Sequence, residues 1–215
     1  MQAIVIILLL GVLAGAMAFF AVMGMAQVRR TRALARRAHA MGMQFSEDDP
    51  FDVPRRYAHM ALVGAGHSPR ADNVTYGRLD ALPVRAFDFR YEAGHGPRRV
   101  TRHYSVVAAD ADTDLPAAII WHEDDKDFAP LQTNLLAARV DCWSCVGGSD
   151  FARELAEACR PLTGQPVSAE TRGATMMLCV PVDKGASSAA MSVADAAAAL
   201  REIRTRAAAW AQRHR

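Results

Sequence analysis

Two cysteines three positions apart give the sharpest chemical signal in the chain. Cys142 and Cys145 lie in the stretch DCWSCVGG, residues 141–148. This spacing suits a redox dithiol, half of a zinc site, or two thiols that pack in a strand. A closed zinc site needs four ligands, and the remaining cysteines, Cys159 and Cys179, stand singly.

Strand geometry favours packing over chelation for this pair. In a strand, residues three apart point to opposite faces, so the two sulfurs would not meet at one ion. The next predicted helix begins near residue 150, too far along for its dipole to activate Cys142. We expect no cofactor and no metal, and Cys142 and Cys145 remain the candidates for a metal or thiol site.

Acid–histidine pairs are the second chemical candidate. A hairpin that turns over residues 93–98 would place Asp88 opposite His103, and a general acid–base dyad needs such a pair in a cleft. His122 stands among acids in the stretch WHEDDKD. These three residues are the candidates for a membrane-tethered, hydrolase-type enzyme. No phosphate-binding loop and no nucleophile elbow accompanies them, so the catalytic set is incomplete and we lean towards a protein that is not an enzyme.

A predicted hairpin positions the acid–histidine pair. Phe87, Phe89 and Tyr91 alternate with polar residues, which is the period of a strand. The run GHGP at 94–97 supplies a turn, after which Tyr104 returns opposite Phe87 and gives an aromatic cross-strand pair.

Further strands and helices are interspersed along the chain. The pattern predicts strands at 74–79, 117–122 and 173–182, a short helix after Pro130 and a helix from residue 149 or 150 to 160. Ser192 with Asp195 forms a capping box that opens a long last helix. These elements predict an α+β class with a mainly antiparallel sheet and a long C-terminal helix in one soluble domain, residues 51–215.

The first residues of the chain are uncharged. Ala3 to Ala26 carries no charge and would span about 36 Å as a helix, against about 30 Å of hydrocarbon in a bilayer. No basic residue precedes this run, which argues against a cleaved signal peptide. The sequence therefore predicts a single-pass transmembrane anchor at residues 1–28, with the lipid bilayer as partner. Gly11 and Gly15 form a G-x-x-x-G that indicates a face for a homodimer within the membrane.

A basic flank follows the uncharged run, in a juxtamembrane helix and acidic linker at residues 29–50. Its charges are Arg29, Arg30, Arg32, Arg36 and Arg37. Such charges hold a flank in the cytoplasm and attract anionic lipid headgroups. They predict a cell (inner) membrane location with the N-terminus outside and the C-terminal domain cytoplasmic. Removing these five charges from the net +2 leaves about −3 for the rest, which excludes a broadly basic, nucleic-acid-binding surface.

The segment PRADNVTYGRLDALPVRAFDFRYEAGHG, followed by TRHYSVVA, resembles a bacterial membrane-anchored family of unknown function. The likeness consists of a single N-terminal membrane helix, a basic flank and a Phe-Asp-aromatic-x-Tyr hairpin, over residues 29–109. It implies no activity and no site residues. The expected function is thus a non-enzymatic partner- or ligand-binding domain tethered at the cytoplasmic membrane surface, with the hydrolase and the Cys142/Cys145 site as alternatives.

Overall fold

The computed structural model describes residues 2–125, 138–147, 149–162, 164–182 and 191–214. Within these ranges the chain forms four α-helices and seven strands. In chain order they are α1 (Gln2–Ala40), β1 (Gln44–Ser46), α2 (Val53–Arg56), β2 (His67–Leu79), β3 (Leu82–Ala93), β4 (Val100–His122), β5 (Ala138–Val140), β6 (Trp143–Gly147), α3 (Ser149–Cys159), β7 (Ser168–Pro181) and α4 (Val193–Arg213). All paired strands are antiparallel.

The long strand β4 organises the sheet. One edge of β4 pairs first with β3 and then with β6, and its other edge pairs with β7. The sheet order is therefore β1-β2-β3-β4-β6-β5, with β7 beside β4. The register between β4 and β7 shifts at Asp110–Leu115 and Leu115–Ala118, where the ladder is irregular. The predicted mainly antiparallel sheet is confirmed.

The hairpin between β3 and β4 forms as predicted, but its register differs by two residues. Phe89, not Phe87, lies opposite Tyr104, and Asp88 lies opposite Ser105. The ladder extends as far as Ala93 and Val100, so the turn occupies residues 94–99 and not 93–98. A shift of two keeps every side chain on its predicted face, because the strand period is two. It nevertheless separates Asp88 from His103 in the ladder, so that predicted pairing is wrong.

Two hydrophobic cores lie on opposite faces of the sheet. The first packs the sheet against α3 and α4 and includes Leu82, Val107, Trp143, Phe151, Leu155, Leu178 and Leu200. The second packs the aromatic face of β3 and β4 under residues 53–65, which we call the covering segment. Its largest members are Tyr57, Met60, Leu62, Phe87, Phe89, Tyr91 and Tyr104. Both faces of the sheet are thus buried, and burial of each large apolar side chain stabilises the fold by about 1.5–3 kcal/mol.

Two residues of β7 hold the covering segment to the sheet. The Glu170 carboxylate accepts a hydrogen bond from the backbone N–H of Ala61 at 2.6 Å. The Arg172 guanidinium donates to the backbone carbonyl of His59 at 2.9 Å. Backbone groups of an irregular segment would otherwise lack partners where it covers the core, so these contacts complete its hydrogen bonding.

The C-terminal helix α4 is confirmed together with its cap. Ser192 precedes the helix with an extended backbone, and its hydroxyl accepts a hydrogen bond from the Asp195 backbone N–H. The helix α3 also occupies its predicted place. The helix predicted after Pro130 falls mostly outside the described residues, and its described end, Ala138–Val140, is a strand.

The prediction of a transmembrane anchor is wrong. In the described part of the chain, no helix combines the length and the apolarity that crossing a membrane requires. The single-pass description, the cell (inner) membrane location and the N-terminus-outside orientation were built on that anchor, and they are corrected with it. Instead, α1 is one helix from Gln2 to Ala40 that joins the sheet through its last turns, where Ala38 is buried.

Candidate functional site

A cavity of about 420 Å³ lies between the last turns of α1, the sheet and the first turn of α4. Its walls are mostly apolar and come from three separate parts of the chain. The apolar wall residues are Leu34, Ala38, Ala40, Met41, Ala86, Phe87, Met191 and Val193. The volume falls within the range of about 300–1,000 Å³ that is typical of small-molecule pockets.

Polar side chains of the sheet line the same cavity. They are Asn73 and Thr75 on β2, Asp88 on β3 and Ser105 on β4. Asp88 and Ser105 are direct partners in the ladder between β3 and β4. We call these four residues the polar floor. Their position follows from strand alternation, since Asp88 and Ser105 occupy the face opposite to the aromatic core.

A bulge in β2 aims Asn73 at Asp88. The register between β2 and β3 shifts between Asp72 and Thr75, and Asn73 there adopts a φ of 54°. The side-chain amide of Asn73 donates to the Asp88 carboxylate at 2.8 Å. Asparagine tolerates the left-handed conformation better than most residues, which suits it to this position. At the bulge, Asn73 therefore contacts β3 through its side chain and not through a backbone pair of the ladder.

Among the described residues, two hydroxyls of the polar floor have no hydrogen-bond partner. Thr75 is 6% exposed and Ser105 is 8% exposed. Throughout residues 2–125 and the later described ranges, neither hydroxyl makes a hydrogen bond with another protein group. Both hydroxyls are therefore available to a molecule that enters the cavity.

One of the five predicted basic-flank residues reaches this site. Arg37 lines the cavity from α1. Arg29, Arg32 and Arg36 are also exposed, and among the described residues none of these four makes an ion pair with a carboxylate. The Arg30 side chain lies outside the described set. The arginines were predicted to set the orientation of a transmembrane anchor, and that prediction is corrected together with the anchor. Their contact with lipid headgroups stays a prediction.

The three candidate catalytic residues do not meet in this cavity. Asp88 lines it, whereas His103 and His122 are absent from its described lining. His103 lies opposite Arg90, two ladder positions nearer the turn than Ser105. His122 ends β4, where its ring packs edge-on against Trp143 with centroids 6.1 Å apart and its Nδ1 lies 3.2 Å from the Asp124 backbone nitrogen.

The cysteine pair spans the turn of a second hairpin. Val140 pairs with Trp143, so the chain reverses at Asp141–Cys142. The expectation that both cysteines lie in one strand is wrong, because Cys142 is in the turn and only Cys145 is in β6. The Cys145 thiol donates to the Ala138 carbonyl at 3.3 Å, and burial raises its pKa.

The other two cysteines are buried in the cores. Burial raises the pKa of Cys159 to about 12 and raises that of Cys179 well above its ordinary value. All four thiols are free. Within the described ranges, no group of three or more His, Cys, Asp or Glu residues is placed to hold a metal ion.

Sequence reasoning missed most of the residues that form the site. Thr75 and Ser105 read only as ordinary strand residues. The signal for Asn73 was present, since an asparagine next to Asp72 in a strand pattern is typical of a bulge. The contribution of Met191 and Val193 depends on where the start of α4 packs, which local sequence does not encode.

Comparison with known proteins identifies no family. No protein-family model matches the chain, and no curated protein matches it. A solved structure with some likeness is the crystal structure of the mycobacterial trehalose monomycolate transport factor A, TtfA. It shares 15% sequence identity over 82% of this chain and 89% of that chain, with a TM-score of 0.47. At that identity and score, no role passes from one protein to the other.

Proposed function

We propose that this chain is a binding domain, not an enzyme, and that it holds a small, largely apolar molecule in the cavity beside α1. The observation that carries the proposal is the mostly apolar cavity with a polar floor, which is the usual composition of a small-molecule pocket. The lining comes from α1, the sheet and the start of α4, so a bound molecule would contact all three. Binding would therefore stabilise the packing of α1 against the sheet.

The hydrolase alternative has less support. General acid–base chemistry usually needs a second titrating group near the first, within reach of the substrate. In the described lining of the cavity, Asp88 is the single carboxylate and there is no histidine. Asp88 is also held by Asn73, an arrangement that suits a structural or recognition role.

The test is a titration of the full-length chain with 1-N-phenylnaphthylamine, an uncharged apolar fluorophore. We expect saturable binding at one site per chain. Replacing Ala40, an exposed residue of the cavity wall, by tryptophan should weaken binding at least tenfold by filling the space. The matched control is Ala198→Trp on the exposed face of α4, which should leave binding unchanged. Non-saturable binding, or equal binding by both variants, would refute the proposal.

A further inference from the structure

The chemistry of the polar floor narrows the class of ligand. The Asn73 amide nitrogen is used in the bond to Asp88, which leaves the amide oxygen as an acceptor. The hydroxyls of Thr75 and Ser105 can each donate and accept. A ligand hydroxyl also does both, so it can satisfy either protein hydroxyl in any rotamer and can donate to the Asn73 oxygen. Hydroxyl groups therefore match this set of atoms better than groups that only donate or only accept.

The charges around the cavity favour a neutral ligand. Its described lining contains one carboxylate, Asp88, and one guanidinium, Arg37. Their formal charges cancel, so neither a cation nor an anion gains a net attraction there. Moving an ion out of water into a largely apolar cavity has a large desolvation cost that a neutral molecule avoids.

The two kinds of lining lie on different elements. The polar floor belongs to the sheet, whereas most of the apolar wall belongs to α1 and to the residues that open α4, such as Met191 and Val193. A molecule that satisfies both must be polar at one end and apolar at the other. We propose that the ligand is a neutral amphiphile whose hydroxyl-bearing head contacts Thr75 and Ser105 and whose apolar part lies against α1. This inference rests on the proposed binding function and specifies its ligand class.

The experiment measures displacement of bound 1-N-phenylnaphthylamine from the full-length chain by four molecules with the same eight-carbon chain. They are octyl glucoside, octylamine, octanoate and 1-octanol, each below its micelle-forming concentration. We expect octyl glucoside to displace the fluorophore at a concentration at least tenfold lower than any of the others. Thr75→Val combined with Ser105→Ala should remove about tenfold of that advantage, with each displacement expressed relative to the variant's own affinity for the fluorophore. Thr113→Val, at an exposed position of β4, is the control and should change neither value.

The outcomes separate the two proposals. If the fluorophore does not bind, the proposed function and the ligand class are both wrong. If it binds but octyl glucoside does not displace it more strongly than each of the other three molecules, the binding function stands and the ligand class is wrong. If octyl glucoside is strongest and the double variant keeps its full advantage, the polar floor does not contact the head, and the assignment of its site is wrong.

Discussion

Glu170 makes the stability of this fold depend on pH. Its side chain is 2% exposed, in the second core where β7 meets the covering segment. Burial raises the pKa of the carboxyl to about 7 from an ordinary value of 4.5. The backbone N–H groups of Ala61 and Leu62 and the nearby Arg172 guanidinium act in the opposite direction, because they favour the ionised form. Desolvation outweighs them.

The sign and size of the effect follow from proton linkage. An acid with a raised pKa in the folded state binds more protons folded than unfolded, so the protein becomes less stable as pH rises. The contribution of Glu170 is fully present below about pH 4.5 and is lost as pH rises through about 7. A difference of about 2.5 pKa units corresponds to about 3 kcal/mol in the free energy of unfolding.

Glu170→Gln isolates this contribution. The amide oxygen of glutamine can still accept from the Ala61 N–H, but the side chain does not titrate. We expect the variant and the natural chain to have similar free energies of unfolding near pH 4.5. At pH 8 the variant should be the more stable by about 3 kcal/mol relative to that baseline. Comparing the two chains at each pH cancels the other titrating groups, which they share.

The assay is urea unfolding followed by tryptophan fluorescence at half-unit steps from pH 4.5 to 8. Glu123→Gln, at an exposed carboxylate, is the control and should track the natural chain throughout. A difference between Glu170→Gln and the natural chain that stays constant with pH would show that the carboxyl titrates normally. A difference of the opposite sign would show that the Ala61 and Leu62 N–H groups outweigh desolvation.

Two further predictions concern the hairpin turn and the thiols. Gly94 has a φ of 83°, and a Cβ there would lie 2.7 Å from the Arg98 carbonyl oxygen, so Gly94→Ala should lower the free energy of unfolding by about 2–3 kcal/mol. Gly96→Ala, with a φ of 57° and open space, should cost only about 1 kcal/mol, and equal urea midpoints for the two variants would contradict the clash. Of the four thiols, only Cys142 should react with Ellman's reagent at pH 8 in the folded chain, because burial raises the pKa values of Cys145, Cys159 and Cys179. Cys142→Ser should abolish that reaction, and a second thiol reacting at the same rate would contradict the reasoning.

Local pattern predicted the elements whose signals lie within a few residues of each other. The alternation of Phe87, Phe89 and Tyr91 identified β3, and Ser192 with Asp195 identified the start of α4. The same kind of reasoning failed for the register of the hairpin, because the residue types in the turn did not specify at which residues the turn begins and ends. It also failed for α1, where the absence of charge was taken as evidence of a membrane span.

The amino-acid sequence by itself determined the antiparallel hairpin, the capped C-terminal helix and the face of β3 that carries the aromatic side chains, because these depend on side chains that are neighbours along the chain. The cavity was decided only by the tertiary structure. Its lining draws on residues 34–41, 73–75, 86–88, 105 and 191–193, which are brought together by the packing of α1 and α4 on the sheet. Asp88 illustrates the difference. The strand period placed Asp88 on the face opposite to the aromatic side chains. Only the register of the ladder and the bulge in β2 brought the Asn73 amide to its carboxylate.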